Sequence, residues 1–324
     1  MTEVKVSCGE EATSVLNPQV RRKVKLSCGK GATSVLNLLI RRKAKLSCGE
    51  EATSVLNLQV RRKVRLGCGR REAVMPYQEI GDLSVYYEEF GAGKPVLFLH
   101  SAYSRGLLAF CGQIQPFYSA GWRCLYPDFR GHGRTRCRDL TWDSERIAED
   151  MILLLDRLNI EKANLIGYST GGGVAYYMAA RHPERVQSLI SIGNGGVADA
   201  AGAEDFTPEA LASRKETDFI EKVKSLHADA HQGDWETYLL QEVRDWCAHP
   251  LLTQEEWSRL VMPMLLIAGE KDEYASAQRL EQIRKSCPQA EVWIVKDCGH
   301  RPHFPQERVR EVNERMLQFL AANG

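Results

Sequence analysis

The chain has 324 residues, 44% of them hydrophobic, and a formal net charge of +1, an ordinary composition for a soluble globular protein of one large domain or two small ones. No run of 18 apolar residues occurs and the opening residues lack an apolar stretch, so neither a membrane span nor a secretory signal is indicated. The ten cysteines contain no C-x-x-C pair; no metal site is expected, and the cysteines read as reduced thiols of a cytoplasmic protein.

The small net charge hides an asymmetry. Residues 1–74 carry 16 Lys/Arg against 6 Asp/Glu, residues 75–324 carry 27 against 36, and the first aromatic residue is Tyr77. Residues 4–23, 24–43 and 44–63 are near copies of one 20-residue unit, and a broken fourth copy starts at Val64. A period in this range can mean a solenoid, and each Arg-Arg-Lys cluster could touch nucleic acid or a membrane. The copies agree equally at polar and apolar positions, however, which favours recent tandem duplication over selection for packing. The favoured reading of 1–74 is a poorly ordered basic extension, with residues 75–324 as the working domain and no nucleic acid or membrane as partner.

From Met75 the chain reads as a β-hairpin, with Leu83, Val85 and Tyr87 alternating at the period of a strand. Short apolar runs at 96–99 and 123–127 predict buried strands. Residues 144–158 carry Ile147, Met151, Leu154, Leu155 and Leu158 on one helical face. A strand at 163–166 runs into a helix from 170 to about 181, and further strands are expected at 186–192, 264–268 and 292–295. A helix near 276–285 separates the last two strands, and Val309, Val312, Met316, Phe319 and Leu320 mark a final helix. Such alternation argues for an α/β fold, a mostly parallel sheet covered on both faces, with chemistry gathered beyond the carboxyl ends of its strands. Residues 197–260 break the alternation. They carry Trp235, Tyr238, Trp246 and Trp257 and are expected to form a helical cap over the site; as a group these aromatics suit a pocket roof, although each alone is better explained as packing.

The most informative motif is Gly167-Tyr168-Ser169-Thr170-Gly171, a G-x-S-x-G run between a predicted strand and a predicted helix. That context marks a nucleophile elbow, in which a serine at φ > 0 is lifted clear of the sheet and small neighbours leave room for the strained turn. A serine hydroxyl needs a base and a group to hold that base. His300, in Asp297-Cys298-Gly299-His300, follows the strand at 292–295, with His303 as its main competitor. His100 precedes the serine in a loop, His132 lies in a glycine-rich loop, and His182 sits at a helix end before Pro183. Asp272 follows the strand at 264–268, with Glu270 too early in the same loop; Asn194, at the end of 186–192, cannot serve as a charged partner. For the oxyanion hole, the amides of Thr170 and Ala102 are the expected donors.

In this order, the His100-Ser101-Ala102 loop, the Asp128-Phe129-Arg130-Gly131-His132-Gly133-Arg134-Thr135 run, the elbow, Gly269-Glu270-Lys271-Asp272 and Gly299-His300 resemble the α/β-hydrolase superfamily over about 250 residues. Within it the chain looks most like small capped esterases, including the valacyclovir-hydrolase (biphenyl-hydrolase-like) group. The resemblance implies Ser169 as nucleophile, Asp272 as acid and His300 as base. One departure is His100-Ser101, where the family has His-Gly, which bears on the backbone of the oxyanion loop. The implied function is a cofactor-free serine hydrolase of a small-molecule ester, thioester or lactone. The alternatives are a carbon–carbon bond hydrolase or enol-lactonase of aromatic catabolism, in which Arg105 or Arg130 could hold a substrate carboxylate, and a non-catalytic ligand receptor on the same scaffold.

Overall fold

A computed structural model of the chain describes residues 77–324. The repeats of residues 1–74, and every expectation placed on them, lie outside the described residues. Strands β1 (Tyr77–Ile80) and β2 (Leu83–Phe90) form the expected hairpin, followed by β3 (Pro95–Leu99), helices α1 (Gly106–Ala109) and α2 (Ile114–Ser119), and β4 (Arg123–Pro127). Next come α3 (Ser144–Arg157), β5 (Ala163–Tyr168), α4 (Thr170–Arg181) and β6 (Val186–Ile192). A 3-10 turn at Ala203–Phe206 and five α-helices separate β6 from β7: α5 (Pro208–Ser213), α6 (Thr217–Leu226), α7 (Ala228–His231), α8 (Trp235–Ala248) and α9 (Gln254–Ser258). The chain then returns through β7 (Met264–Gly269), α10 (Ala277–Ser286), β8 (Ala290–Val295) and α11 (Val309–Asn323).

The eight strands form one sheet in the order β1-β2-β4-β3-β5-β6-β7-β8. The pairs β1/β2 and β2/β4 are antiparallel, and every pair from β4 to β8 is parallel. A parallel sheet needs both faces covered, because its connections return across them. Successive strand residues accordingly enter different cores. Leu97, Leu99, Leu165, Leu189 and Leu266 join Ile147, Met151, Val174 and Leu280 on one face. Val96, Phe98, Ile166, Ile190 and Ile267 join Phe110, Phe117, Val312, Met316 and Phe319 on the other. The register aligns Gly167 with Ser191 and Gly269 with Val295, so β5 to β8 bring their carboxyl ends to a common edge.

The second core also holds His303, which is fully buried. Its Nε2 donates to the Ala109 carbonyl at 3.2 Å, and Gln113 donates to the His303 carbonyl at 2.9 Å and to Asn313 Oδ1 at 2.8 Å. Tyr168, Phe304 and Phe110 surround the ring, with centroids 4.4, 4.8 and 5.6 Å away. Burial pushes the imidazole down from its ordinary 6.5 to about 3, against the bond to Ala109, which favours the charged form. Below pH 6.5 the unfolded chain therefore binds a proton that the folded chain refuses. Stability is lost as pH falls from about 6.5 toward 3, at ~1.4 kcal/mol per pH unit for this one group. A His303→Gln variant keeps a donor for Ala109 and removes the titration. Its unfolding free energy, from urea titrations between pH 6.5 and 4, is expected to fall less steeply than the parent's by that amount; parallel slopes would show that the folded chain protonates His303 normally.

Candidate active site

Ser169 joins β5 to α4 at φ 53°, ψ −120°, a conformation that costs an L-residue ~1–3 kcal/mol unless its surroundings impose it. They do so here. The Ser169 amide donates to the Ile192 carbonyl at 2.8 Å, and its carbonyl accepts from Gly172 N–H at 2.8 Å and Asn194 Nδ2 at 2.9 Å. The two glycines of the motif are required by close approach: a Cβ on Gly167 would lie 2.2 Å from the Gly171 carbonyl oxygen, and one on Gly171 would lie 2.0 Å from that of Leu99. Asn194 cannot be a charged partner, but it positions the elbow. Its Oδ1 accepts from Gly196 N–H at 2.9 Å, which fixes the side chain that bonds to Ser169.

The Ser169 hydroxyl oxygen is 3.0 Å from His300 Nε2, and His300 Nδ1 is 3.1 Å from each oxygen of Asp272. A proton on Nδ1 shared with the carboxylate leaves Nε2 free to accept from the serine. Asp272 is buried, and its Oδ1 also accepts from the Tyr274 and Ala275 amides at 2.9 and 3.1 Å. Burial alone would raise its carboxyl; the bonds from His300 and the two amides outweigh that and hold it below its ordinary value. The turn after β6 leaves space for the imidazole, since a Cβ on Gly193 would meet His300 Cε1 at 2.9 Å.

The competing residues lie elsewhere. His303 is in the core described above. Glu270 accepts from Asp297 N–H at 3.1 Å in the loop after β8. His182 pairs with Glu149 at the end of α4. His100 is buried: its Nδ1 donates to the Ser101 carbonyl at 2.8 Å and its Nε2 accepts from Phe129 N–H at 3.0 Å. His132 is buried against Glu242 of α8. Ser101, the departure from His-Gly, stays out of the left-handed region, which Tyr103 enters at φ 54°. The amides of Ala102 and Thr170 make no hydrogen bond among the described residues, and both residues line the cavity that opens at Ser169.

That cavity, about 210 Å³, is bounded by Val197, Phe206, Trp246, Tyr168 and Tyr274 on apolar walls and by Ser144, Asp245 and His249 at a polar end. The roof expectation needs correction, because Trp246 alone among the four singled-out aromatics lines it. Tyr238, on the buried face of α8, bonds to Glu242, Trp235 lies under the Lys224 ammonium, and Trp257 packs on Tyr176. Neither Arg105 nor Arg130 reaches the cavity; Arg130 is locked between Asp150 at 2.8 Å and Asp82 at 3.0 Å. The arginine that does line it is Arg279, paired with Asp199 and donating to the Tyr274 carbonyl at 2.9 Å. A larger groove of about 700 Å³ between α5, α6 and α8, lined by Lys215, Lys224 and Trp235, carries none of the serine, histidine and aspartate geometry. Among the described residues no group of three His, Cys, Asp or Glu side chains is arranged to hold a metal ion, and no helix is long and apolar enough to cross a membrane.

Known proteins agree with this architecture. The family model for the alpha/beta hydrolase fold matches residues 94–226. A 2-hydroxy-6-oxo-6-phenylhexa-2,4-dienoate hydrolase of Comamonas testosteroni is 32% identical over 279 residues, which span 75% of this chain and 93% of that protein. Among solved structures, a carboxylesterase from the thaumarchaeon Nitrososphaera gargenis superposes with a TM-score of 0.63 at 21% identity over 76% of this chain and 98% of the other. The enol-lactonase of Burkholderia xenovorans gives 0.59 at 20% identity over 76% and 100%. With a relative this similar along nearly its whole length, and the family model matched over residues 94–226, the chain belongs to the α/β-hydrolase family.

Proposed function

We propose that this hydrolase is a serine enzyme that cleaves a small carboxylic ester, thioester or lactone through an acyl-enzyme. The observation that carries the reading is the continuous hydrogen-bonded chain from Ser169 through His300 to Asp272 at the mouth of a small cavity. His300 Nε2 takes the hydroxyl proton as Ser169 Oγ attacks the carbonyl carbon. Asp272 holds the ring in the tautomer that can accept, and its charge stabilises the imidazolium that forms. Negative charge gathers on the former carbonyl oxygen, where the unengaged amides of Ala102 and Thr170 donate to it. When the tetrahedral species collapses, His300 returns the proton to the leaving oxygen or sulfur. Water, deprotonated by the same nitrogen, then releases the acid and restores Ser169. A cavity of about 210 Å³ is below the range typical for drug-sized ligands, which favours a compact substrate. The five helices between β6 and β7 serve as the cap, and Trp246 with Phe206 and Val197 supplies its apolar contact to the acyl group.

A second reading rests on the Comamonas relative, whose 32% identity favours carbon–carbon bond hydrolysis of a dienoate, with enol-lactone hydrolysis beside it. Both use the same three side chains. A non-catalytic receptor would have no use for a hydroxyl–imidazole–carboxylate chain held in reacting geometry.

A panel of p-nitrophenyl esters of rising chain length, lactones and 2-hydroxy-6-oxo-dienoates separates these readings by kcat/KM. The parent is expected to label with a fluorophosphonate probe. Ser169→Ala should abolish labelling and turnover, and His300→Ala should lower kcat by ~10⁴-fold or more, with Asp272→Asn somewhat milder; labelling that persists in Ser169→Ala would refute the assignment. Trp246→Ala enlarges the cavity, so the preferred acyl chain should lengthen by several carbons at little cost in melting temperature, whereas lost stability with unchanged preference would make Trp246 a packing residue. A chain starting at Met75 keeps the whole of β1 and should retain kcat/KM within about twofold, under ~0.5 kcal/mol; an insoluble or inactive product would place residues 1–74 within the working domain.

A further inference from the structure

Helix α8 turns a polar stripe inward. Tyr238, Gln241, Glu242 and Asp245 are all buried, at the i, i+3, i+4, i+7 spacing of one helical face. Three of them tie α8 to the hydrolase core. Gln241 donates to the Trp142 carbonyl. Asp245 accepts from the Ser144 amide at 2.6 Å and the Ser144 hydroxyl at 2.8 Å, at the start of α3. Glu242 reaches furthest: its Oε1 accepts from the Tyr238 hydroxyl at 2.7 Å, from His132 Nε2, and from the Tyr103 amide at 3.3 Å.

The last of these contacts falls beside the proposed oxyanion donor. Ala102 stands between two peptide planes, and each is held by a side chain. The Ser101–Ala102 plane is held at its carbonyl by His100 Nδ1 at 2.8 Å. In a trans peptide the N–H points opposite to the C=O, so that bond also sets where the Ala102 N–H aims. The Ala102–Tyr103 plane is held at its N–H by Glu242. Tyr103 itself is in the left-handed region at φ 54°, a conformation that a tyrosine keeps only where its surroundings fix it. His100 belongs to the core, and its Nε2 is anchored on Phe129 N–H. Glu242 belongs to the inserted helices. One of the two restraints on Ala102 therefore comes from outside the sheet domain.

We infer that Glu242 is a positioning residue for the oxyanion loop: by accepting from Tyr103 N–H it completes the geometry that aims the Ala102 amide. His132 keeps the carboxylate charged and in place, because its Nδ1 is bonded to the Arg130 carbonyl at 2.8 Å and its Nε2 faces Glu242. The inference rests on the serine-hydrolase reading, in which Ala102 supplies an oxyanion donor.

The test uses the full chain and four variants, each followed by kcat and KM on p-nitrophenyl acetate, by inhibition with a trifluoromethyl ketone that forms a tetrahedral oxyanion on serine, and by melting temperature. Glu242→Ala removes the acceptor, and Glu242→Asp withdraws it from Tyr103 while keeping the charge. Both should lower kcat and weaken the ketone in parallel, by about 10²-fold for Ala and about tenfold for Asp, on the scale of a lost oxyanion donor, with KM within about threefold. Glu242→Gln still presents Oε1 to Tyr103 and should recover most of kcat. Gln241→Ala loosens α8 without touching the loop; it should lower the melting temperature and leave kcat within about twofold, since only the residue bonded to Tyr103 bears on transition-state charge. A folded Glu242→Ala variant with the parent's kcat and ketone affinity would overturn the inference alone. So would a Gln241→Ala variant that loses kcat and ketone affinity as steeply, because general loosening would then suffice. If Glu242→Ala does not fold, the Asp and Gln variants decide: equal kcat in the two overturns it. A parent inert to fluorophosphonate and to every ester would overturn the serine-hydrolase reading, and this inference with it.

Discussion

The backbone of Ser169 is forced into a conformation that no L-residue prefers, and much of the molecule is arranged to hold it there. With φ 53° and ψ −120°, the turn between β5 and α4 presents the hydroxyl at the sheet edge instead of burying it. The local cost of ~1–3 kcal/mol is offset by three hydrogen bonds, from Ser169 N–H to Ile192 and to its carbonyl from Gly172 and Asn194. Each comes from a neighbouring segment that must itself be in register. The turn also brings α4 so near to β3 that Gly171 abuts the Leu99 carbonyl, which leaves no room for a side chain. Ser169 is thus placed by contacts across β3, β5 and β6.

Two kinds of packing meet at the cavity. The sheet domain is built from apolar alternation, with each strand sending successive residues to opposite cores. The inserted helices meet it partly through buried polar groups: Tyr238, Gln241, Glu242 and Asp245 each find a partner. Apolar surfaces tolerate sliding, since the gain follows buried area and carries no direction. Satisfied buried polar groups tolerate little, because any shift strands a donor or acceptor in a medium that penalises it. A helix seated this way has one favoured position over the site.

Sequence reasoning recovered what is local or periodic. Every strand proposed from β3 to β8 forms within two residues of its expected ends, because short apolar runs between turn residues suffice to mark them. Asp272 and His300 stand out in the sequence by their place after β7 and β8, and the fold brings them within hydrogen-bond distance of each other. His303 looked almost as good, three residues further on, and only three-dimensional burial separates it from His300. Asn194 has no charge to partner the histidine, and its use lies in its amide, which donates to the Ser169 carbonyl. Glu242 gave no signal at all: a glutamate on an amphipathic helix reads as solvated, and its partners His132 and Tyr103 are 110 and 139 residues away in sequence. The tryptophans misled in the other direction, since aromatic composition reports that a segment is buried without saying against what.

The strand order carries a consequence for how activity arises during folding. Ser169 and His300 are 131 residues apart in the chain, and their contact requires β6, β7 and β8 all to lie in place beyond β5. Parallel pairings at such separations close large loops and belong to the slow, late part of folding. A chain with only β5 and α4 in place lacks the Ile192 carbonyl and the Asn194 amide that hold Ser169, and the His300 imidazole beside it. The contact between Ser169 and His300 therefore reports on the docking of the final strand.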